Sequence, residues 1–399
     1  MKGLIFYSGH LLKRAGGPSS YLYNLMTGLR ALKCNDIFFL TLDYIDGHKK
    51  SHKKNFKNIF KETLFKLGFI FPKEIAFFYT FLRKKYKHNL LNALIKKYSN
   101  NFDFIHFHTT VDFIDLKIIN SKIKILTTHS PIPPHLEIED HIANKYNDKL
   151  AKFFKEAERR IDEQAFLSAD VLIFPAVESL EGYFNTWQEF KNIIEGKKIL
   201  FIPSGAASLE IKESPEVVRK RYNIPPDAFV VSYVGRHHPI KGYDILQRAA
   251  DYLWARNFNL YFLIAGLPLP LKGLSDKRWI EVGWTENPGD YLNASDIFVL
   301  PNRKTYFDLV LIEALSLGKP IIASNTGGNK FVARQTEGVI LFQNGDYVDL
   351  AKKILEVYKN RRHLKELGKR NLQLYLNFYT PEKFALRYVQ GLEELLTII

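Results

Sequence analysis

The chain has 399 residues, enough for about two domains, with 46% hydrophobic and 25% charged residues, the balance of an ordinary globular protein. That composition excludes a disordered chain, a collagen-like chain and a coiled coil. Formal net charge is +15, from 57 Lys+Arg against 42 Asp+Glu, and a single cysteine, Cys34, excludes an internal disulfide framework and any multi-Cys metal site.

The N-terminus runs straight into a short apolar strand at 3–7, with no signal-peptide h-region, and no stretch reaches the ~18 apolar residues of a membrane span. A soluble, cytoplasmic protein is expected. Further apolar runs follow at 37–42, 102–107, 123–128, 171–175 and 199–203. A second series occupies 229–234, 260–265, 297–300, 320–323 and 339–342. Each run is four to seven residues of mostly Val, Ile, Leu and Phe without alternation, as in strands buried on both faces. Helical-looking stretches separate them, which predicts parallel α/β sheets. Two series predict two doubly wound domains, at 1–203 and 204–380, with small residues and prolines marking a junction near 203–215. A helix is expected over 381–399, opened by Thr380-Pro381. It can close one domain against the other or simply pack on its own domain.

Charge is concentrated early. Residues 48–97 carry fourteen Lys/Arg and two acids, Glu62 and Glu74, a local sum of +12 that leaves +3 for the other 349 residues. Aromatics interleave with the lysines: Phe56 and Phe60 share a helical face, and Phe78 and Tyr86 lie on another. Such basic amphipathic segments suit an anionic membrane surface. A solvated helical face with its aromatics in the core is the alternative. Nucleic-acid binding is the third reading, but no recognised nucleic-acid motif accompanies the block.

The loops after the strands carry the chemistry. Gly16 and Gly17 precede a helix with Leu22, Leu25 and Leu29 on one face, so a ligand can approach the backbone there. Run 229–234 leads into Gly235-Arg236-His237-His238-Pro239-Ile240-Lys241-Gly242. Arg236 and Lys241, both just past a strand end, can converge on one anion, the first as a planar fork and the second as a point charge. Run 297–300 leads through Thr305 and Asp308 into a helix starting Leu309-Val310, where Glu313 sits in an otherwise apolar stretch. A carboxylate there either accepts from a ligand hydroxyl or forms a structural ion pair. A second glycine turn, Gly327-Gly328, follows run 320–323.

The segments AGGPSSYLYNL, GRHHPIKGYDIL, DYLNASDIFVLP and LVLIEALSLGKPIIASNTGG, in this order and spacing, together resemble family 4 glycosyltransferases of the GT-B fold. The resemblance implies two Rossmann-like domains facing a cleft, and retaining transfer of a sugar from a nucleotide sugar (UDP- or GDP-linked) to an acceptor hydroxyl, with no bound metal or cofactor. It implies that Arg236 and Lys241 hold the donor diphosphate and that Glu313 binds the ribose. Gly16 and Gly17 would line the donor site, and the amides of Leu309 and Val310 would meet phosphate. His129, in Thr127-Thr128-His129-Ser130, matches a family histidine near the transferred sugar, and a satisfied core histidine is the alternative. One departure stands out. The family pattern has a glutamate where this chain has Thr305 and a glycine where it has Asp308. Asp308 or Arg303 are candidates to replace the lost contact. With the basic block, the resemblance points to a lipid-linked glycan acceptor and a place on the inner membrane face, in cell-surface polysaccharide synthesis. A non-catalytic binding protein that kept the fold is the alternative.

Overall fold

A computed structural model describes residues 1–12, 17–41, 102–116, 121–145 and 148–398. The basic block at 48–97 and Gly16 lie outside the described residues.

Two compact units emerge. The first comprises Met1–Phe174, Tyr183–Leu200 and Glu393–Ile399; the second comprises Pro175–Gly182 and Phe201–Leu392. The last helix, Pro381–Ile398, is thus divided between them.

The first unit is built on six strands: β1 Gly3–Tyr7, β2 Ile37–Thr41, β3 Phe104–Phe107, β4 Ile123–Leu126, β5 Val171–Phe174 and β6 Lys198–Phe201. Their order is β2-β1-β3-β4-β5-β6. β1 pairs in parallel with β2 and β3, with Gly3 opposite Ile37 on one side and Phe104 on the other. Central strands β3 and β5 are buried along their whole length. That is why they read as unbroken apolar runs. β6, at the end of the sheet, is partly exposed.

The second unit holds β7 Phe229–Val234, β8 Leu260–Ala265, β9 Trp279–Gly283, β10 Ile297–Leu300, β11 Ile321–Ser324 and β12 Val339–Phe342. The order is β12-β11-β10-β7-β8-β9, and the pairings are parallel. Successive side chains of β7 pack on opposite faces. Phe229, Val231 and Tyr233 join a core with Ile245, Leu246 and Leu253 of the helix Tyr243–Trp254, while Val230 packs with Val218 and Ile280 on the other side. Strand β9 was not among the apolar runs. It is an edge strand in which Glu281, bonded to Tyr243 and Trp279, interrupts the apolar residues, so it lacks the continuous apolar signature.

Each sheet reverses direction once. In the first, chain order runs outward to β2 and returns on the other side of β1 at β3. In the second it runs β7 to β9, then returns beside β7 at β10. The carboxyl ends of β1/β3 and β7/β10 are therefore the switch points where open α/β sheets bind ligands.

At the second switch point the loops are drawn tightly together. Gly242 has φ +65°, and a Cβ there would lie 1.8 Å from the Pro301 carbonyl oxygen. Gly327, at φ +46°, would similarly meet the Thr305 carbonyl at 1.9 Å. Only hydrogen fits at either position. Gly242→Ala should therefore lower the unfolding free energy by about 2 kcal/mol or more, read as an earlier urea midpoint; an unchanged midpoint would mean the loop is not held as described.

Candidate functional site

In the second unit, the β7 loop and the β10 loop are clamped by Arg303. Its guanidinium forks onto both Asp244 oxygens at 2.6 Å and donates to the Pro239 carbonyl at 2.5 Å, while its amide donates to the Ile240 carbonyl at 2.9 Å. Burial works to raise the Asp244 pKa, but the Arg303 fork outweighs it and holds the carboxyl below its usual range. Arg303 is thus engaged within the scaffold.

The clamp brings Lys241 against Asp308, Nζ to Oδ1 at 3.0 Å. The other carboxylate oxygen, Oδ2, accepts from the Thr305 hydroxyl at 2.6 Å and the Asn302 amide at 2.5 Å. Thr305 and Asn302 are buried; Lys241 and Asp308 are partly open to solvent. Asp308 is the N-cap residue of the helix Leu309–Ser316, but its side chain makes no capping bond to that helix. Its oxygens go to Lys241, Thr305 and Asn302 instead. Leu309 and Val310 open the helix, whose dipole presents partial positive charge at this end. Glu313 lies one turn further on, partly buried, and adds to the electrostatic environment of Tyr375.

Arg236 has its backbone pinned and its side chain free. Its carbonyl accepts from the Tyr233 hydroxyl at 2.7 Å and from the His238 amide at 2.8 Å. The next residue, His237, is buried and stacks on Tyr243 with ring centroids 4.0 Å apart and planes 6° from parallel. The Arg236 guanidinium is exposed and has no hydrogen bond or ion pair among the described residues. The structure therefore groups Lys241, Thr305, Asp308, Leu309 and Val310 directly, with Arg236 on the same β7 loop. The two cations are not equivalent: among the described residues Lys241 has an ion pair and Arg236 has none.

In the first unit, the β1 loop is fastened from two sides. The Ser8 amide donates to Asp112, and Ser19 links the loop to the helix Gly17–Ala31 by accepting from the Leu12 amide at 2.9 Å and donating to the His10 carbonyl at 2.5 Å. Gly17 has φ +54°, with open space where a Cβ would stand. One turn later Tyr21 packs edge-on against His129, centroids 4.5 Å apart. His129 has φ +56° and pairs with His108, Nε2 to Nδ1 at 2.8 Å. His106 packs against His108 with ring centroids 4.0 Å apart and planes tilted by 41°, and bonds Thr127 at 2.9 Å.

Burial lowers the pKa of His129 to about 3, and burial also pushes His106 and His108 well below the ordinary histidine range, so all three are neutral near pH 7. Tyr21 is pushed the other way by burial. The sequence reading singled out His129 and missed His106, His108 and Tyr21. Two histidines flanking Phe107 at the end of an apolar strand were the available signal. Among the described residues no group of three or more His, Cys, Asp or Glu side chains is arranged to hold a metal ion, and no helix is long and apolar enough to cross a membrane.

A family described as glycosyl transferases group 1 matches residues 228–360, which contain all of the β7 and β10 loops. Among curated proteins, the chain is similar to a D-inositol 3-phosphate glycosyltransferase of Geodermatophilus obscurus, 24% identical over 59% of this chain and 55% of the relative. A protein of the same description from Streptomyces bingchenggensis is 29% identical over 38% of this chain and 37% of the relative. The matches thus span about half the length of these relatives or less. Among solved structures, a sucrose-phosphate synthase from Thermosynechococcus elongatus covers all of both chains at TM-score 0.68 and 19% identity. Anabaena HepE in complex with UDP-glucose covers 99% of this chain and 100% of its own at TM-score 0.64 and 15% identity. WaaG, a glycosyltransferase involved in lipopolysaccharide biosynthesis, covers 96% of this chain and 98% of its own at TM-score 0.60 and 13% identity. The two six-stranded parallel sheets are those of the GT-B fold.

The neutral histidines have a consequence for stability. In the unfolded chain each recovers a pKa near 6.5 and binds a proton that the folded site refuses, so stability is full above pH ~6.5 and is lost as pH falls toward the folded values. Urea unfolding across pH 4–7 should show stability rising with pH, and His129→Gln should flatten that rise; an identical slope in the variant would contradict the burial assigned to His129.

Proposed function

We propose that this chain is a glycosyltransferase that moves a sugar from a nucleotide sugar to an acceptor hydroxyl. The observation that carries this reading is the placement of exposed Arg236, Lys241 and a helix start at one topological switch point. Such a place suits a diphosphate. The match to glycosyl transferases group 1 over the same loops supports it, as do neighbours of the same fold solved with UDP and UDP-glucose.

In this reading Arg236, Lys241 and the amides of Leu309 and Val310 bind the diphosphate. Glu313 takes the ribose hydroxyls, and Thr305 and Asp308 lie toward the sugar. Gly16, Gly17 and His129 of the first unit serve the transferred sugar and its acceptor. The anomeric C–O bond breaks with its electron pair going to the diphosphate, whose growing charge the cations and helix dipole stabilise. The acceptor oxygen bonds to the anomeric carbon on the same face, and its proton passes to the departing phosphate. Transfer thereby proceeds with retention and needs no metal or cofactor. The expected acceptor is a lipid-linked glycan of cell-surface polysaccharide synthesis. The basic segment 48–97 would hold the enzyme on the inner face of the membrane.

Arg236→Ala and Lys241→Ala should each cut transfer by about 100-fold, with Glu313→Ala acting chiefly on donor affinity. Transfer is measured with a panel of UDP- and GDP-sugars chosen by thermal shift, since a bound donor raises the melting temperature by mass action. Full turnover in all three variants would overturn the site assignment. A second reading, a non-catalytic nucleotide-sugar or glycan binder, draws on Lys241 being already neutralised by Asp308. Binding without turnover over several acceptors would favour it.

For the membrane role, vesicles with anionic lipid should pellet the protein at low salt and release it at high salt, while neutral vesicles should not. Equal pelleting on both lipids would exclude an electrostatic attachment.

A further inference from the structure

The Lys241–Asp308 pair poses an electrostatic problem that rests on the donor reading above. A diphosphate seat gains from every cation near it, yet here a carboxylate stands 3.0 Å from one of the two cations, at the start of the very helix whose dipole favours anions. The net charge of Arg236, Lys241 and Asp308 is +1 rather than +2. The carboxylate is held there deliberately by its surroundings: Thr305 and Asn302, both buried, donate to Oδ2 and fix its orientation. Neither is a cation, so they supply no charge that offsets Asp308. Oδ1, bonded to Lys241, retains acceptor capacity, and the side chain is 16% exposed, so a ligand can reach it. A ligand group that meets this oxygen must be a hydrogen-bond donor. A phosphate has none to offer when ionised, whereas a sugar offers hydroxyls.

We propose that Asp308 is a specificity-determining residue that makes the site prefer the nucleotide sugar over the nucleoside diphosphate left after transfer. A sugar hydroxyl donates to its carboxylate. The bare terminal phosphate, which carries additional negative charge once the sugar is gone, is repelled by it. Asp308 thereby favours loading of the donor and release of the product, with Lys241 shared between carboxylate and diphosphate.

The test is calorimetric titration of UDP against UDP-glucose and of GDP against GDP-mannose, on the wild-type full chain and on Asp308→Asn. Asparagine keeps the size of the side chain and can still accept from Thr305, but it loses the charge. The variant should bind the nucleoside diphosphate more tightly and the matching nucleotide sugar more weakly, shifting the ratio of the two affinities by about tenfold. Thr305→Val, which removes the hydroxyl that orients the carboxylate, should shift the same ratio in the same direction by a smaller factor and supplies the test if Asp308→Asn does not fold. Equal changes toward both members of a pair, in either variant, would make Asp308 a structural counter-ion only and overturn this inference while leaving the donor reading intact. A wild-type chain that binds none of the four nucleotides would overturn both.

Discussion

The second unit depends on the meeting of the β7 and β10 loops, and Arg303 is what makes them meet. Its fork onto Asp244 and its bond to the Pro239 carbonyl span about sixty residues of sequence and join the loop after one strand to the loop after its neighbour. Because β7 and β10 are adjacent and parallel, both loops leave the sheet at the same edge. Without a brace, two polar loops with a lysine between them would splay into water. With it, the backbones come so close that Gly242 faces the Pro301 carbonyl and Lys241 reaches Asp308. A partly buried charge-assisted fork of this kind is worth more as a geometric constraint than as net stability.

The same logic runs through the first unit with one carboxylate and otherwise uncharged groups. There, Ser19, Asp112 and a chain of uncharged histidines fix the loops after β1, β3 and β4. Burial makes the imidazoles neutral, and neutrality lets three of them stack within one small volume without repulsion. The left-handed backbone at His129, rare for a residue with a Cβ, turns its ring toward Tyr21 and His108. One unit therefore offers a charged seat and the other an uncharged polar one.

How much of this could be read from the chain alone follows from the range of the interactions. Strands β7, β8, β10 and β12 match their apolar runs end for end, because burial on both faces writes itself into consecutive residues. Edge strand β9 escaped because Glu281 breaks its short apolar run. The loop cations were visible, since a lysine and an arginine just past a strand end need no tertiary knowledge to notice. Their partners were not. Asp308 lies 67 positions from Lys241, and Asp244 lies 59 from Arg303. Nothing local says which acid meets which base. The sequence offered Asp308 and Arg303 as equal stand-ins for a missing glutamate; the fold gives them different partners, Arg303 bonding Asp244 and Pro239 and Asp308 bonding Lys241, Thr305 and Asn302.

The departure at Thr305 is accompanied by a second one in the same loop, at Asp308. A threonine in place of a glutamate removes a carboxylate, and an aspartate in place of a glycine three residues later restores one, with the threonine hydroxyl now holding it at 2.6 Å. The two changes are coupled by a direct hydrogen bond, and each alone would be costly. A glutamate at 305 beside Asp308 would bury two like charges against one lysine. Glycine at 308 with Thr305 would leave that lysine uncompensated and the buried Asn302 amide with only the longer bond to Thr305, at 3.3 Å. In this chain the acid beside Lys241 is therefore Asp308, and Thr305 is one of the groups that hold it there.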